Sequence, residues 1–189
     1  MSGERLAGPP PSAPERLATG RLVLTRPVAG DLPEIERLLG DPRVGSWLGG
    51  TMSPAAARAA FAAWAAHWEA HGWGMWIARD PRSGVLAGRG GPQLSVNDGE
   101  PCVEVGWIVV PERWGEGLAT VIGRASLEVA ADALAVREVV AKTLPDNTAS
   151  RRVMEKLGLR EERELVHRGL RHVLYRGPTR PGPAAAPGA

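Results

Sequence analysis

The chain has 189 residues, of which 43% are hydrophobic and 23% charged, which is the size and composition of one globular domain. Its net charge is +2 and no run of Lys and Arg exceeds two residues, which argues against a dedicated nucleic-acid-binding protein. The single cysteine, Cys102, excludes an internal disulfide and a zinc site built from several cysteines.

Hydropathy and proline content set expectations for location and for the ends of the chain. No apolar run reaches the roughly 18 residues of a membrane span, and the first residues lack the apolar stretch of a secretion signal. We therefore expect a cytoplasmic protein without membrane contact. Residues 1–20 and 177–189 hold eight of the 17 prolines and few large apolar side chains. These compositions predict two disordered tails around a domain of residues 21–176.

The first half of that domain shows strand and helix patterns separated by Pro and Gly. Leu22 and Leu24 alternate with other residues before a proline and predict a strand. Asp31 and Ser53 each precede a nearby proline, which is typical of a helix N-terminus. We expect a helix shortly after Asp31 and a second helix over residues 54–71. Two strands around a turn at residues 80–84 should follow.

The second half alternates strands and helices. Residues 103–110 form the strongest strand pattern, and residues 117–133 carry apolar side chains along one side of a long helix. A strand, a helix and further strands follow, at residues 136–143, 149–157 and from 159 to about 175. The crossover from the first of these strands to the next favours a parallel pair, so the sequence predicts a mixed α/β fold.

The segment Val103–Thr120 connects a buried strand, through a loop with two glycines, to the start of a helix. Gly115 and Gly117 lack a Cβ, so the chain can turn tightly and a ligand can approach the backbone. Such a loop and the unpaired first N–H groups of a helix form a site for an anion, most naturally a pyrophosphate. The dinucleotide motif GxGxxG is not matched because residue 120 is a threonine, and no P-loop Gly-Lys-Ser/Thr follows.

Four segments resemble the GNAT acyltransferases. The run Trp114–Thr120 resembles their coenzyme A loop, with Trp114 in place of Arg or Gln, as in the RimJ/RimL-like subgroup. Asn147–Ser150 and Glu155–Leu159 resemble the family's later N-x-x-S/A and E-K-L-G-F segments, and the opening Arg21–Pro27 is also similar to this subgroup. The resemblance covers about residues 21–176.

This resemblance implies a fold, an activity and partners. The fold would be a central mixed, twisted sheet of about six to seven strands flanked by about four helices. The activity would be transfer of an acetyl group from acetyl-CoA to a primary amine by direct attack, with no metal. The acceptor stays open among protein N-termini, amino acids, polyamines and antibiotic amines. The protein would be a monomer or homodimer that binds no nucleic acid. A non-catalytic acyl-CoA-binding domain of the same fold is the alternative.

The resemblance also implies which residues contact the coenzyme. A backbone N–H near Ile108 or Val109 would polarise the thioester carbonyl, and N–H groups of residues 115–119 would meet the diphosphate. The full set of expected contacts is Trp107, Ile108, Val109, Val110, Trp114, Gly115, Glu116, Gly117, Leu118, Ala119, Thr120, Asn147 and Ser150.

Two residues are candidates for proton handling. Glu104 is a charge inside an apolar strand, where it could act as general base or form a salt bridge. Many GNAT enzymes place a tyrosine acid seven residues after the asparagine, but this position is Met154. The Ser150 hydroxyl is the replacement candidate, and a helix cap or a coenzyme contact is its alternative role.

Tryptophans and histidines are candidates for the acceptor side. Trp47, in a loop before two glycines, and Trp76 are expected to contact substrate, although a helical Trp stripe usually packs in a core. His67 and His71 lie four residues apart on one helix face, a spacing that fits a metal pair. No third ligand is evident, so a solvated polar face is the favoured interpretation.

Overall fold

The computed structural model describes residues 12–97 and 99–180, which form one eight-stranded sheet in the order β1-β2-β3-β4-β5-β6-β8-β7. All neighbouring strands are antiparallel except the parallel pair of β5 and β6. The strands are β1 (Arg16–Ala18), β2 (Val23–Thr25), β3 (Trp76–Arg79), β4 (Leu86–Asn97), β5 (Glu100–Val109), β6 (Glu138–Thr143), β7 (Arg160–His167) and β8 (Leu170–Pro178). The helices are α1 (Leu32–Gly40), α2 (Pro42–Gly45), α3 (Pro54–His71), α4 (Leu118–Asp132) and α5 (Thr148–Lys156). The mixed α/β fold is confirmed, with one strand more than expected.

Of the two predicted helix caps in the first half of the domain, Ser53 forms its cap and Asp31 does not. The Ser53 hydroxyl accepts a hydrogen bond from the Ala56 N–H at 3.2 Å, with Pro54 as the first residue of α3, as predicted. Asp31 differs from the prediction, because its carboxylate caps no helical N–H. It accepts a hydrogen bond from the Val28 N–H at 2.8 Å and pairs with Arg79 at 2.7 Å, joining α1 to the sheet.

The ordered domain is longer at both ends than predicted. Arg16–Ala18 forms β1, paired with β2, and the buried Ala13 donates its N–H to the Gly72 carbonyl. At the other end β8 continues through Pro178, and Thr179 is buried. Edge strands are held by backbone pairing, which composition does not reveal. The remaining parts of the predicted tails, residues 1–11 and 181–189, lie outside the described residues.

The sheet separates two apolar clusters. Ile77, Arg89 and Ile108 are registered neighbours on β3, β4 and β5, so their side chains share one face, and Ile77 and Ile108 pack with residues of α1–α3. The adjacent register row, which contains Trp76, faces the opposite side and packs with the cluster that includes α4 and α5. The parity of each strand residue therefore decides which cluster it joins.

The parallel strands β5 and β6 separate soon after they meet. They share one registered pair, Glu104 with Val140, and no later residue of β5 is bridged to β6 among the described residues. The β6-facing edge of β5 is therefore open from about Val105 to Val109. This gap leads into the main cavity of the domain.

Candidate active site

A cavity of about 890 Å³ opens between the separated strands. Its size is within the range of small-molecule and cofactor sites. One end is bounded by the loop before α4 and by the start of α5. The other end is bounded by α3, the loop after α2 and the hairpin of β7 and β8. The cavity thus connects the predicted coenzyme loop with the predicted acceptor side.

The glycine loop presents the bare N-terminus of α4 to this cavity. Gly115 (φ 83°) and Gly117 (φ 77°) are both left-handed, a conformation that favours glycine. Gly117 caps α4 without any side-chain hydrogen bond, so the first N–H groups of the helix have no partner from a cap. Gly115, Gly117, Leu118, Ala119 and Thr120 all line the cavity, as the sequence predicts for a phosphate-binding loop.

Three side chains hold this loop in place. The Trp114 Nε1–H donates to the Val109 carbonyl at 2.8 Å, which fastens the loop to the end of β5. Arg21 donates from Nη1 to the Glu116 carbonyl at 2.7 Å, and so connects the start of the domain to the loop. Arg113 pairs with the Glu116 carboxylate at 2.8 Å. The loop is therefore positioned before any ligand binds.

Two of the expected coenzyme contacts lie elsewhere. Glu116 does not line the cavity, and its carboxylate pairs with Arg113. The hydrogen bond from Arg113 lowers the pKa of Glu116 below its ordinary value. Val110 also lies off this cavity and packs against the cluster of α1–α3. Adjacent residues of a tight turn point in different directions, so a contiguous motif does not give a contiguous contact surface. Glu116 is an anchor of the loop.

Strand alternation selects one of the two N–H groups expected near the thioester. The Val110 N–H donates to the Ala87 carbonyl of the β4 side at 3.0 Å. Hydrogen-bonding directions alternate along an antiparallel strand, so Ile108 also donates toward β4, whereas Trp107 and Val109 direct their N–H groups to the open edge. Of Ile108 and Val109, the geometry favours Val109.

Glu104 is 8% exposed and lines the cavity beside Lys142 of β6. Lys142 Nζ lies 2.7 Å from Glu104 Oε2, so the two groups form an ion pair. The contact lies outside hydrogen-bond geometry, and Oε2 has no hydrogen-bond donor among the described residues. The structure thus contains the salt bridge that was one expected role, on a carboxylate that lines the cavity.

The start of α5 places Ser150 on the cavity wall. Asn147 is the helix cap, because its Oδ1 accepts the Ser150 N–H at 3.1 Å. The Ser150 side chain is therefore not the cap, and this alternative is wrong. Met154 lines the same wall and is buried. The coenzyme-contact and proton-handling roles of Ser150 both stay open.

The proton-handling role predicted for Ser150 is a charge-assisted hydrogen bond to the leaving sulfur, worth about 1.5 kcal/mol, so this role predicts that Ser150→Ala lowers kcat by about tenfold. Thr148→Ala is the matched control, since Thr148 is exposed on the same helical turn and does not line the cavity. The measurement is kcat at saturating acetyl-CoA. An unchanged kcat in Ser150→Ala would restrict the hydroxyl to a binding contact.

The tryptophans divide between cavity and core. Trp47 is 38% exposed and lines the cavity, in agreement with its predicted place, and Trp64 of α3 lines it as well. Trp76 was expected to contact substrate, but it is 0% exposed and packs edge-on against Trp68. Its Nε1–H donates to the Pro14 carbonyl at 3.2 Å. Successive residues of a strand point to opposite faces of the sheet, and Trp76 lies on the face opposite to the acceptor side.

Both ring nitrogens of His67 are occupied by backbone groups. Nδ1 lies 2.8 Å from the Trp73 carbonyl, and Nε2 accepts the Leu94 N–H at 3.2 Å. This pattern requires the neutral ring with the proton on Nδ1. Within residues 12–97 and 99–180, no group of three or more His, Cys, Asp or Glu side chains is arranged to hold a metal ion. His67 therefore joins α3 to the sheet.

His67 should make stability depend on pH. Burial lowers its pKa below the ordinary value, so below about pH 6.5 the unfolded chain binds a proton more readily than the folded one. Stability should fall as pH falls through that range, and the thermal midpoint should be lower at pH 5 than at pH 7.5. His67→Gln should flatten this dependence, whereas His71→Gln should flatten it much less, because the charge of the exposed His71 is a smaller cause of the lowered pKa of His67 than burial. Equal slopes in all three proteins would contradict this assignment.

Sequence reasoning missed three residues that shape the site. Arg21 anchors the glycine loop, Lys142 pairs with Glu104, and Arg89 of β4 lines the cavity. The signal available for Arg89 and Lys142 was a charge inside an apolar strand, the same signal that singled out Glu104. Arg21 begins the opening segment that resembles the subgroup, but nothing local indicated its hydrogen bond to the loop, because that contact lies 95 residues away.

Comparison with known proteins agrees with this architecture. The acetyltransferase (GNAT) domain matches residues 21–160. The chain belongs to the GNAT acetyltransferase family. Bacillus subtilis YkkB, an uncharacterized protein, is 32% identical to this GNAT protein over 89 residues, which are 47% of the chain and 52% of YkkB. The chain thus matches about half the length of that relative.

Solved structures share the fold at low sequence identity. An acetyltransferase from Agrobacterium tumefaciens has a TM-score of 0.76 at 22% identity, covering 94% of this chain and 98% of that one. RimL, a ribosomal L7/L12 acetyltransferase solved with coenzyme A, has a TM-score of 0.70 at 18% identity, and the match covers 87% of this chain and 98% of RimL. Spermidine N-acetyltransferase from Vibrio cholerae, solved with CoA and spermine, has a TM-score of 0.68 at 19% identity, and the match covers 85% of this chain and 96% of that enzyme. No described helix of this GNAT protein is long and apolar enough to cross a membrane.

Proposed function

We propose that this GNAT protein transfers the acetyl group of acetyl-CoA to a primary amine by direct attack. One observation carries the proposal: the bare, glycine-turned N-terminus of α4 and the carboxylate of Glu104 open onto one continuous cavity. A diphosphate at the helix N-terminus would extend the pantetheine arm along the open edge of β5. The thioester would then lie between the loop and Glu104.

The residues along this path supply what aminolysis of a thioester needs. The amine nitrogen attacks the carbonyl carbon, and the Val109 N–H would donate to the developing oxyanion. Glu104 would accept the amine proton, directly or through water. The C–S bond then breaks, and the thiolate, whose conjugate acid has a pKa near 8.5, can leave with only a hydrogen bond from Ser150. This weak demand for an acid is compatible with Met154 on the wall.

Positive charge near the glycine loop also supports a phosphorylated ligand. Arg113, Arg152 and Lys156 line the cavity near the loop and along α5. The structural neighbours RimL and spermidine N-acetyltransferase were solved with coenzyme A, which is consistent with acetyl-CoA as the co-substrate here. Cation side chains suit its phosphates, and the bare helix end suits its diphosphate.

A non-catalytic acyl-CoA-binding domain is the second candidate, and Met154 in the usual tyrosine position is the observation that favours it. Release of free thiol from acetyl-CoA, measured with a panel of primary amines, separates the two. The transferase requires amine-dependent release together with an equal amount of acetylated amine. Acetyl-CoA binding without release for any amine would support the binding domain instead.

A further inference from the structure

Arg89 is a cation on the cavity wall, and no described residue forms an ion pair with it. Its guanidinium lies over the Trp64 ring at 4.7 Å, and Nη1 donates to the Met75 sulfur at 3.4 Å. Its Nε is shielded from solvent and has no hydrogen-bond partner among the described residues, and Arg89 lines the cavity. Burial lowers the pKa of Arg89 to about 10, against the opposing effect of the Glu104 charge.

The arrangement leaves this guanidinium for a ligand. A buried charge is costly unless it is paired, and among the described residues no carboxylate lies within ion-pair distance of Arg89. The Glu104 charge raises the pKa of Arg89, but Glu104 forms its ion pair with Lys142, at 2.7 Å. Trp64 holds the guanidinium plane by cation–π contact but cannot satisfy its N–H groups.

The charge of the whole cavity points the same way. Among its described lining residues there is one acid, Glu104, and six basic side chains: Arg89, Arg113, Lys142, Arg152, Lys156 and Arg168. Three of the basic residues are near the coenzyme end, where phosphates would meet them. A polycation such as spermine, bound in the Vibrio cholerae enzyme, would find one paired carboxylate and several cations at the other end.

The sheet register places the two charges on one face of the sheet, with an apolar row between them. Arg89 is paired in register with Ile108, and Gln93 with Glu104, and the side chains of both pairs lie on the same face of β4 and β5. The row between them holds Gly91 and Gly106, and the Met75 side chain packs over it, with Cε 3.6 Å from a Cβ built on Gly106. The surface between the guanidinium and the carboxylate is therefore apolar and carries no charged side chain from this row, and Met75 lines the cavity there. An acceptor lying on this apolar surface can place an amine toward Glu104 and an anion toward Arg89.

We propose that the acceptor is a primary amine that also carries a carboxylate, and that Arg89 binds this carboxylate. A free amino acid has this chemistry, and so does a peptide whose first residue has an acidic side chain. Arginine suits the role because its planar fork can hold both carboxylate oxygens. The proposal rests on the transferase function and names the acceptor class for the same site.

The test is the ratio of kcat/KM for acceptors that differ only in the carboxylate. Thiol release from acetyl-CoA is measured with amino acids of varied amine–carboxylate spacing, with their carboxamides, with spermine and with a peptide that begins with an acidic residue. The parent should prefer the carboxylate acceptor over its carboxamide by about 10- to 100-fold. Faster reaction of the acidic peptide than of every free amino acid would assign the same chemistry to a protein acceptor.

Arg89→Met should lower kcat/KM for the carboxylate acceptor about 10- to 100-fold more than kcat/KM for its carboxamide, and Arg89→Lys should retain part of the preference. Arg58→Met is the control, because Arg58 is an exposed α3 residue paired with Glu36 and does not line the cavity. If Arg89→Met does not fold, Arg89→Lys decides alone through a selective loss of about tenfold on carboxylates. Equal preference in parent and Arg89 variants, or a parent preference for carboxamides or spermine, would overturn this proposal alone. No thiol release with any amine would overturn the transferase function, and this proposal with it.

Discussion

Gly117→Asp is expected to weaken acetyl-CoA binding by at least about 100-fold while the protein still folds. Asp tolerates the left-handed conformation better than most residues, and it is a favourable helix cap, so α4 should persist. A built Cβ at residue 117 has only the Arg21 guanidinium within 4 Å, at 3.9 Å, so the side chain fits. Two like charges about 4 Å apart repel by about 4 kcal/mol at a dielectric of about 20, which exceeds a 100-fold change in Kd.

Gly84→Asp is the matched control for this variant. Gly84 is also left-handed (φ 70°) with open space around its Cβ, and it lies in the turn between β3 and β4, away from the cavity. The two variants impose the same change on the same backbone conformation. Calorimetric Kd values for acetyl-CoA should therefore differ between them. Parent-like affinity in Gly117→Asp would refute the phosphate site at α4.

Glu104→Gln should lower kcat/KM for the true amine at least about tenfold, because a general base typically contributes about 10²–10⁴-fold in rate. Acetyl-CoA affinity should change little, since the diphosphate end of the cavity is untouched. The change also leaves Lys142 without its carboxylate, and breaking a buried ion pair costs about 3–5 kcal/mol, so the thermal midpoint should fall. Activity is therefore compared at a temperature where both proteins are folded.

Lys142→Met separates the base from the ion pair. This variant breaks the same pair but keeps the carboxylate, so it should lose stability and keep a base-dependent pH–rate profile. The double variant should recover part of the stability of Glu104→Gln without recovering its rate. A parent-like rate and pH profile in Glu104→Gln would show that water or the substrate itself takes the proton.

Local signals predicted the parts of the site that lie close together in sequence. Gly115, Gly117, Asn147 and Trp47 all line the cavity, as the motifs indicated. Such features follow from backbone conformation and short-range capping, which neighbouring residues determine. The crossover between β5 and β6 was predictable for the same reason, because an intervening helix favours a parallel pair.

The predictions were wrong or incomplete where strand register, or a contact between distant parts of the chain, determines the position of a residue. Trp76 lies beside Ile77 in sequence but on the other face of the sheet, and no local pattern fixed that parity when both faces are buried. β1 was missed because its backbone pairing with β2 carries little apolar signal. The Glu104–Lys142 pair and the stacking of Arg89 on Trp64 join separate elements, so only the assembled sheet brings them together.

A crystal structure with coenzyme A tests most directly whether one cavity serves both coenzyme and acceptor. The account predicts the diphosphate within hydrogen-bond distance of N–H groups of residues 115–119, and the pantetheine arm along the open edge of β5. The sulfur should then lie near Ser150, with Glu104 and Arg89 left facing the unfilled end of the cavity. A coenzyme bound elsewhere, or one whose arm fills the space between Glu104 and Arg89, would contradict the account.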